Sequence, residues 1–391
     1  MSDERVSGEF DVIVLGGGAA GLSGALTLAR ARRSVLVVDA GEPRNAPAAA
    51  AHGLLSRDGV PPLELLRAGR EEVARYGGEL LSARATAVRR TEKGFAVGTD
   101  GGEVYGARRL LVTTGLVDEL PPVPGLRERW GRDVLHCPYC HGWEVRDAPI
   151  GVLGTSVASV HQALLFHQWS RRVTLFLHTG PEPDEEQWER LAALGVEVVA
   201  GEVTGLDVTD DALTGVRLAS GPRIPVRALA VAPRLVARGE ILSGLGVGMA
   251  EHPMGVGTYV PSDPGGATGA PGVWAAGNVA DPLGNVPSAQ AGGVAAAAAI
   301  NADLVNADAD EAVARRRAAA DAGSGGAEGD ADADADTDAD VSTDLGTDLS
   351  TDPSAVFSAA NEAAVCERVL GDRRHGVDSL LPTAPPEPEG A

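Results

Sequence analysis

The sequence predicts an α/β protein built from two parallel-sheet βαβ units, the second inserted in the first, with an acidic extension behind them. Three observations carry this. Apolar residues 11–15 run directly into the glycine spacing Gly16, Gly18, Gly21 and then into a helical pattern. The same strand–turn–helix–strand layout returns over 150–180. Further buried-strand runs end in small-residue turns at 110–115 and 274–279.

In the first unit, 11–15 is an apolar strand, 22–30 has helical periodicity and 35–38 is a second strand. Each glycine between them has a physical task. Gly16 makes the tight turn, Gly18 lets backbone approach a pyrophosphate, and Gly21 lets helix and strand pack closely. Phosphates would sit at the helix N-terminus, where free N–H groups and the dipole favour anions. Asp39 ends the second strand where a carboxylate accepts ribose hydroxyls. With its flanking strands, helix and acid, the glycine spacing reads as a Rossmann-like dinucleotide site rather than an empty βα turn. Loop segments 41–45 and 52–59 follow, then an amphipathic helix over 63–76 and alternating short strands over 79–105 with a Gly101-Gly102 turn. Residues 110–115 are a third buried strand ending in Thr114-Gly115, and Pro121, Pro122 and Pro124 mark a crossing between domains.

The stretch 136–144, His-Cys-Pro-Tyr-Cys-His-Gly-Trp-Glu, holds two of the three cysteines. Thiols separated by two residues can close a small disulfide ring and reopen it. The alternative, half of a zinc site, needs a second Cys or His pair that the chain does not offer. His141 follows Cys140 directly and could move the thiol proton near neutral pH, or it could cap a turn. Glu144 could orient that imidazole or begin a helix after Gly142. His136 is the weaker candidate, and Trp143 is expected to pack.

In the second unit Gly154 takes the first glycine position, but Ser156 takes the second and Ser159 the third. A side chain at Ser156 sits where backbone should approach the pyrophosphate, so binding there is compromised. An acidic helix (182–194) and strands near 196–199 and 213–218 follow. Residues 246–305 return to the first unit, closed by an Ala-rich helix over 291–305.

The 391 residues suffice for two or three domains. A net charge of −22 argues against nonspecific nucleic-acid binding. No stretch is long and apolar enough to span a membrane, the N-terminus lacks signal-peptide character, and three cysteines make no secreted framework. A cytoplasmic protein is expected.

The motif order G-x-G-x-x-G, Thr113-Thr114-Gly115, C-x-x-C and Trp274-Ala275-Ala276-Gly277-Asn278-Val279 resembles the low-molecular-weight thioredoxin reductases among the two-dinucleotide-domain flavoproteins. The resemblance covers roughly residues 10–305. It implies FAD held by Gly16, Gly18, Ala19, Ala20, Gly21, Asp39, Arg44, Asn45, His52, Thr114, Gly115, Gly277, Asn278, Gln290 and Ala291. That family has Asp where Asn278 stands, and Asp281 is a nearby substitute. It implies Cys137, Cys140 and His141 as the catalytic group, a thioredoxin-like protein or small dithiol as partner, and a homodimer. NADPH-using relatives carry His-Arg-Arg after the second strand of the inserted unit. Here the stretch is Leu177-His178-Thr179-Gly180, while Arg171 and Arg172 lie before the strand, so NADPH is a doubtful second cofactor. The Cys-Pro-X-Cys-His arrangement also resembles the flavin dithiol oxidases of gliotoxin and holomycin pathways. Those pass electrons from a small dithiol through FAD to oxygen; by that resemblance Cys137 exchanges with substrate and Cys140 faces the flavin.

The expected domains are 1–122 and 246–305 for FAD, 123–245 for the inserted NADPH-like unit, 306–354 as a disordered acidic linker and 355–391 as a C-terminal helix and tail bearing Cys366. The acidic repeats lack the Gly and Glu positions of a calcium loop. The function expected is FAD-dependent thiol–disulfide exchange through Cys137 and Cys140, fed by NADPH or emptied by oxygen. A flavin redox sensor is the non-enzymatic rival.

Overall fold

The computed structural model describes residues 6–324, whose body up to Ala322 forms one compact unit. The acidic repeats, the 355–370 helix and Cys366 lie outside the described residues.

The first sheet has seven strands. β1 (Gly8–Leu15), β2 (Val35–Asp39) and β3 (Glu79–Ser82) run parallel; β4 (Ala85–Thr91), β5 (Gly94–Thr99) and β6 (Val104–Val112) form an antiparallel meander. β6 also pairs in parallel with β1, giving the order β3-β2-β1-β6-β5-β4. Alternation along β1 explains how both faces are covered. Val12 and Val14 point to α1 (Ala19–Arg30), α2 (Pro62–Arg75) and the C-terminal helix, joining Leu28, Leu66 and Ile300. Ile13 and Leu15 point the other way, to Val88, Phe95 and Val97 of the meander.

Leaving that sheet, β7 (Leu116–Glu119) leads through α3 (Leu126–Arg129) to β8 (Val134–Leu135) and the short α4 (Pro138–His141). The second sheet collects β8, β9 (Ile150–Leu153), β10 (Val173–Phe176), β11 (Glu197–Val199) and a later strand, all parallel. α5 (Ala158–Phe166) packs Val160, Ala163 and Phe166 on one face. α6 (Glu185–Leu194) starts at a reciprocal cap between Asp184 and Gln187 and adds Leu191 to that face. β12 (Val203–Thr209), β13 (Ala212–Leu218) and β14 (Arg223–Ile224) form a small antiparallel sheet over the other. β15 (Ala228–Val231) is the later strand, inserted between β9 and β8. The chain then returns through β16 (Arg234–Ala237), which pairs antiparallel with β7, so the two crossings form a two-stranded ladder. A hairpin of β17 (Ala250–Glu251) and β18 (Thr258–Tyr259) precedes β19 (Val273–Ala275), which pairs with the far half of β6. These are the two Rossmann-like sheets the glycine spacings predict.

Two expectations need correction. No helix begins after Gly142; the helical turn there ends at His141. The Ala-rich helix does not stop at 305: α7 runs Val286–Ser324, replacing the first part of the expected linker. Its polar continuation is tied to the body by charge. Asp308 receives Arg33 at 2.7 Å and Arg108 at 2.5 Å, while Asn301 accepts from Arg33 at 2.8 Å and Asp303 pairs with Arg109.

Candidate active site

The first glycine turn behaves as its spacing predicts. Gly16 has φ +107°, and a Cβ there would lie 2.5 Å from the Thr113 carbonyl oxygen. At Gly21 a Cβ would lie 1.9 Å from the Gly16 carbonyl oxygen, so α1 and β1 are in closest contact there. At Gly18 a Cβ would meet nothing within 4 Å, and no side chain caps the start of α1. Uncapped N–H groups beside an open approach suit a diphosphate. Asp39 accepts from the Gly17 amide at 3.0 Å and from Arg70 at 2.6 Å, which holds its carboxylate beside the turn.

Other expected cofactor contacts gather around this point. Ala19 and Ala20 open α1, and a Cβ on Gly277 would come within 2.7 Å of the Ala20 methyl. Thr113 closes on the turn through Gly16, and Thr114 donates to the Arg238 carbonyl at 2.6 Å, leaving Gly115 at φ +73°. A cavity of about 150 Å³ opens beside Gly277, Asn278, Asp281, Ser288 and Ala289. Gln290 and Ala291 follow on α7. The residues present fit a flavin dinucleotide: an open diphosphate cradle, a carboxylate at the end of β2 and a cleft beside Gly277 and Asn278. Two polar side chains are engaged elsewhere. Arg44 forms a two-point ion pair with Asp118 of β7 at 2.7 and 2.9 Å and reaches Asn278 Oδ1 at 3.2 Å. Asn278 donates to the Asp281 and Gly284 carbonyls, so its amide fastens its own loop. Asn45 contributes its carbonyl to the turn at Ala48.

Cys137 and Cys140 are joined as a disulfide, with Cα atoms 5.3 Å apart. Cys137 is the residue before Pro138 at the start of α4, and its carbonyl accepts from the Cys140 and His141 amides, both at 3.2 Å. Pro138 presets the helical φ and needs no partner for an amide. β8 delivers this turn, and β8 is itself fixed by the buried Arg129. Its guanidinium binds both oxygens of Asp133, Asp211 Oδ1 at 2.7 Å and the Asp211 carbonyl at 2.8 Å.

Burial holds the proton affinity of His141 below the ordinary imidazole value; the Glu144 charge opposes this and His52 adds to it. Among the described residues neither ring nitrogen of His141 has a hydrogen-bond partner. Glu144 does not orient it by a bond: its carboxylate lies 3.4 Å from His52 Nε2. His52, expected against the cofactor, is held between Glu144 and Asp58, whose carboxylate is 3.3 Å from Nδ1. Sequence spacing gave no signal for this pairing. The proton affinity of His136 is also lowered, first by burial and then by Arg44, and its Nδ1 contacts the Val231 carbonyl at 3.2 Å. Trp143, expected to pack, is instead exposed and lies under Arg146, 4.2 Å from ring centroid to guanidinium carbon.

The second glycine turn is built differently. Ser159 Oγ accepts from the Thr155 amide at 3.1 Å and the Ser156 amide at 3.3 Å. The N–H groups that would face a pyrophosphate are thus satisfied from inside. The adjoining cavity, about 160 Å³, is lined by Ser156, Ser159, Glu182 and Asp184. His178 accepts from the Val203 amide at 3.1 Å, and burial lowers its proton affinity below the ordinary imidazole value. Arg171 meets His167, and Arg172 meets the Asp147 carbonyl. No guanidinium lines this cavity.

The pyridine nucleotide-disulphide oxidoreductase family model matches residues 10–293. The chain belongs to this family. It is therefore an oxidoreductase, of a family whose name couples a nicotinamide nucleotide to a disulfide. Thioredoxin reductase sirT of Leptosphaeria maculans is 31% identical over 76% of this chain and 95% of its own length. A probable thioredoxin reductase of Arthroderma benhamiae is 38% identical, over 37% of this chain and 38% of that protein. Among solved structures, HlmI is 46% identical with a TM-score of 0.74, covering 82% of this chain and 98% of that one. An oxidoreductase from Agrobacterium tumefaciens is 40% identical with a TM-score of 0.72, covering 76% and 99%. Among the described residues no helix is long and apolar enough to cross a membrane.

Proposed function

We propose that this family member is an FAD-dependent dithiol oxidase: it closes a disulfide on a small dithiol through Cys137–Cys140 and does not draw electrons from NADPH. The observation that carries the reading is the second turn, where Ser159 already occupies the Thr155 and Ser156 amides. A 2′-phosphate would meet Glu182 and Asp184 rather than guanidinium groups. A diphosphate there must displace a side chain from two hydrogen bonds and gains no cation in return.

The first site keeps what the second has lost. The amides at the start of α1, the opening at Gly18 and the carboxylate of Asp39 would hold FAD, with the 277–291 segments along the cleft. Bound there, FAD supplies a carrier for two electrons between a thiol pair and an acceptor. The chain's own part is thiol chemistry. A substrate thiolate attacks Cys137, the Cys137–Cys140 bond breaks, and the second substrate thiol then displaces Cys137. His141, whose ring nitrogens are buried and unpartnered among the described residues, can accept the proton a substrate thiol must lose. The net reaction balances as dithiol plus dioxygen giving disulfide plus hydrogen peroxide. Homodimerisation and a cytoplasmic setting belong to the same reading.

The test is anaerobic mixing of the flavin-loaded protein with NADPH, NADH and, separately, a small dithiol, followed by flavin absorbance. Bleaching by the dithiol alone, with recovery on admitting air, supports the oxidase. Rapid bleaching by NADPH overturns it in favour of a thioredoxin reductase, and silence toward every donor favours a redox sensor.

A further inference from the structure

Three polar side chains of the 52–59 loop and the redox segment are not used by the thiol exchange itself. His52 belongs to the loop after β2 and Glu144 to the turn after α4, yet their side chains meet at 3.4 Å. On its other nitrogen His52 meets Asp58 at 3.3 Å, and the Gly53 amide donates to the second Asp58 oxygen at 2.8 Å. The imidazole is thus held between two carboxylates, one from its own loop and one from the redox segment. Three residues before Glu144, on the redox segment, stands His141, with both ring nitrogens buried and unpartnered among the described residues.

We propose that Asp58, His52 and Glu144 form a clasp that joins the 52–59 loop to the redox segment and tunes the thiol reactivity of Cys137 and Cys140 through His141, with His52 and Glu144 as positioning residues. This rests on the reading of Cys137–Cys140 as a working redox pair.

The physical case is a competition for one carboxylate. Glu144 is the anion whose field reaches His141, and it favours the imidazolium form that pairs with a thiolate. His52 takes the same carboxylate from the other side and opposes that field. Asp58 anchors His52, so the imidazole cannot swing away from Glu144 without losing two contacts. The ionisable groups whose charge reaches His141 are Glu144 and His52; Asp58 acts through His52. Glu144, bonded to His52 and acting on His141 through its field alone, links the charges of the two imidazoles. A proton on His52 neutralises Glu144 and weakens its hold on His141. Without His52, Glu144 is free to serve His141 alone. The two removals therefore act in opposite directions, which a general loosening of the loop would not do.

The experiment uses the full chain reduced with dithiothreitol, with alkylation of Cys137 and Cys140 by iodoacetamide followed by mass spectrometry from pH 5 to 9. It needs no turnover and no acceptor. Glu144→Gln is expected to slow alkylation at pH 7 about fivefold, moving the midpoint to higher pH, because one unit of thiol pKa is a tenfold change in thiolate. His52→Gln is expected to speed it about twofold at pH 6 and move the midpoint lower. Asp58→Asn, an exposed change, is expected to follow His52→Gln at smaller size. Shifts of the same sign in Glu144→Gln and His52→Gln, or profiles that match the unmodified protein, overturn the clasp. Failure of dithiothreitol to open the disulfide at all overturns the redox reading instead, so the two failures are distinct.

Discussion

The first glycine turn makes two opposite predictions for one and the same mutation, glycine to alanine. At Gly21 the added methyl carbon would lie 1.9 Å from the Gly16 carbonyl oxygen and 2.6 Å from Thr113 Oγ1. The first distance is more than 1 Å inside the 3.0 Å limit for real Cβ contacts, and the obstructing atom is backbone. The turn must move, at a cost of about 1–3 kcal/mol or more from overpacking. At Gly18 the methyl meets nothing within 4 Å, and φ −78° with ψ −171° is ordinary extended backbone. Gly18→Ala should fold as the unmodified protein does. It would, however, project the methyl where the diphosphate must approach the amides. Losing two hydrogen bonds to a charged group, at roughly 1.5 kcal/mol each, weakens flavin binding by about 3 kcal/mol, on the order of a hundredfold. The assay pairs thermal melting of the flavin-free protein with flavin absorbance retained after desalting. Gly18→Ala should keep its melting temperature and lose its colour, whereas Gly21→Ala should lose both. A Gly18→Ala protein as yellow as the original would show that the diphosphate does not lie over that residue.

Other consequences can be checked directly. Replacing Cys137 or Cys140 by Ser should abolish dithiol oxidation by more than about a hundredfold while leaving flavin bound, as seen by stopped-flow absorbance. Arg129→Met would leave the Asp133 carboxylate, only 15% exposed, without its cation. A loss of about 3–5 kcal/mol in urea unfolding is expected, and Asp133→Asn should recover part of it. Ser159→Ala removes an acceptor from two amides and should cost about 1–2 kcal/mol, yet isothermal titration should still detect no NADPH binding because no guanidinium is gained. For pH, His136 and His141 have folded proton affinities depressed mainly by burial. Below the ordinary value near 6.5 the unfolded chain binds more protons than the folded one, so stability is full above that pH and falls as pH drops toward the folded values. Melting curves from pH 8 to 5 should show the decline, and His136→Gln should flatten it.

Local patterns were legible because their causes are local. A βα turn needs small residues at fixed offsets, so the tasks of Gly16, Gly18 and Gly21 could be read without knowing what packs above them. The alternation along 11–15 and the start of α6 at Asp184 are of the same kind. Even the departure of the second turn from the glycine spacing shows in the sequence, because Ser156 and Ser159 stand where that spacing has small residues.

What became of the freed groups was a tertiary matter. The exception is Ser159, whose bonds to the Thr155 and Ser156 amides span only four and three residues and are therefore local. Arg44 reads as a cofactor residue by its place after β2, yet β7, leaving the first sheet, brings Asp118 to it, and a carboxylate at 2.7 Å decides its direction. α7 outruns its alanine pattern because Arg33 and Arg108, far back in the chain, offer cations to Asp308. His52 and Glu144 meet for a comparable reason: each follows a strand of a different sheet, and only the packing of the two sheets brings their side chains together. Sequence alone determined which residues could bind or exchange electrons, since that follows from residue type and spacing. The tertiary structure decided which of their hydrogen bonds and charges are already taken, since partners distant in the chain settle that.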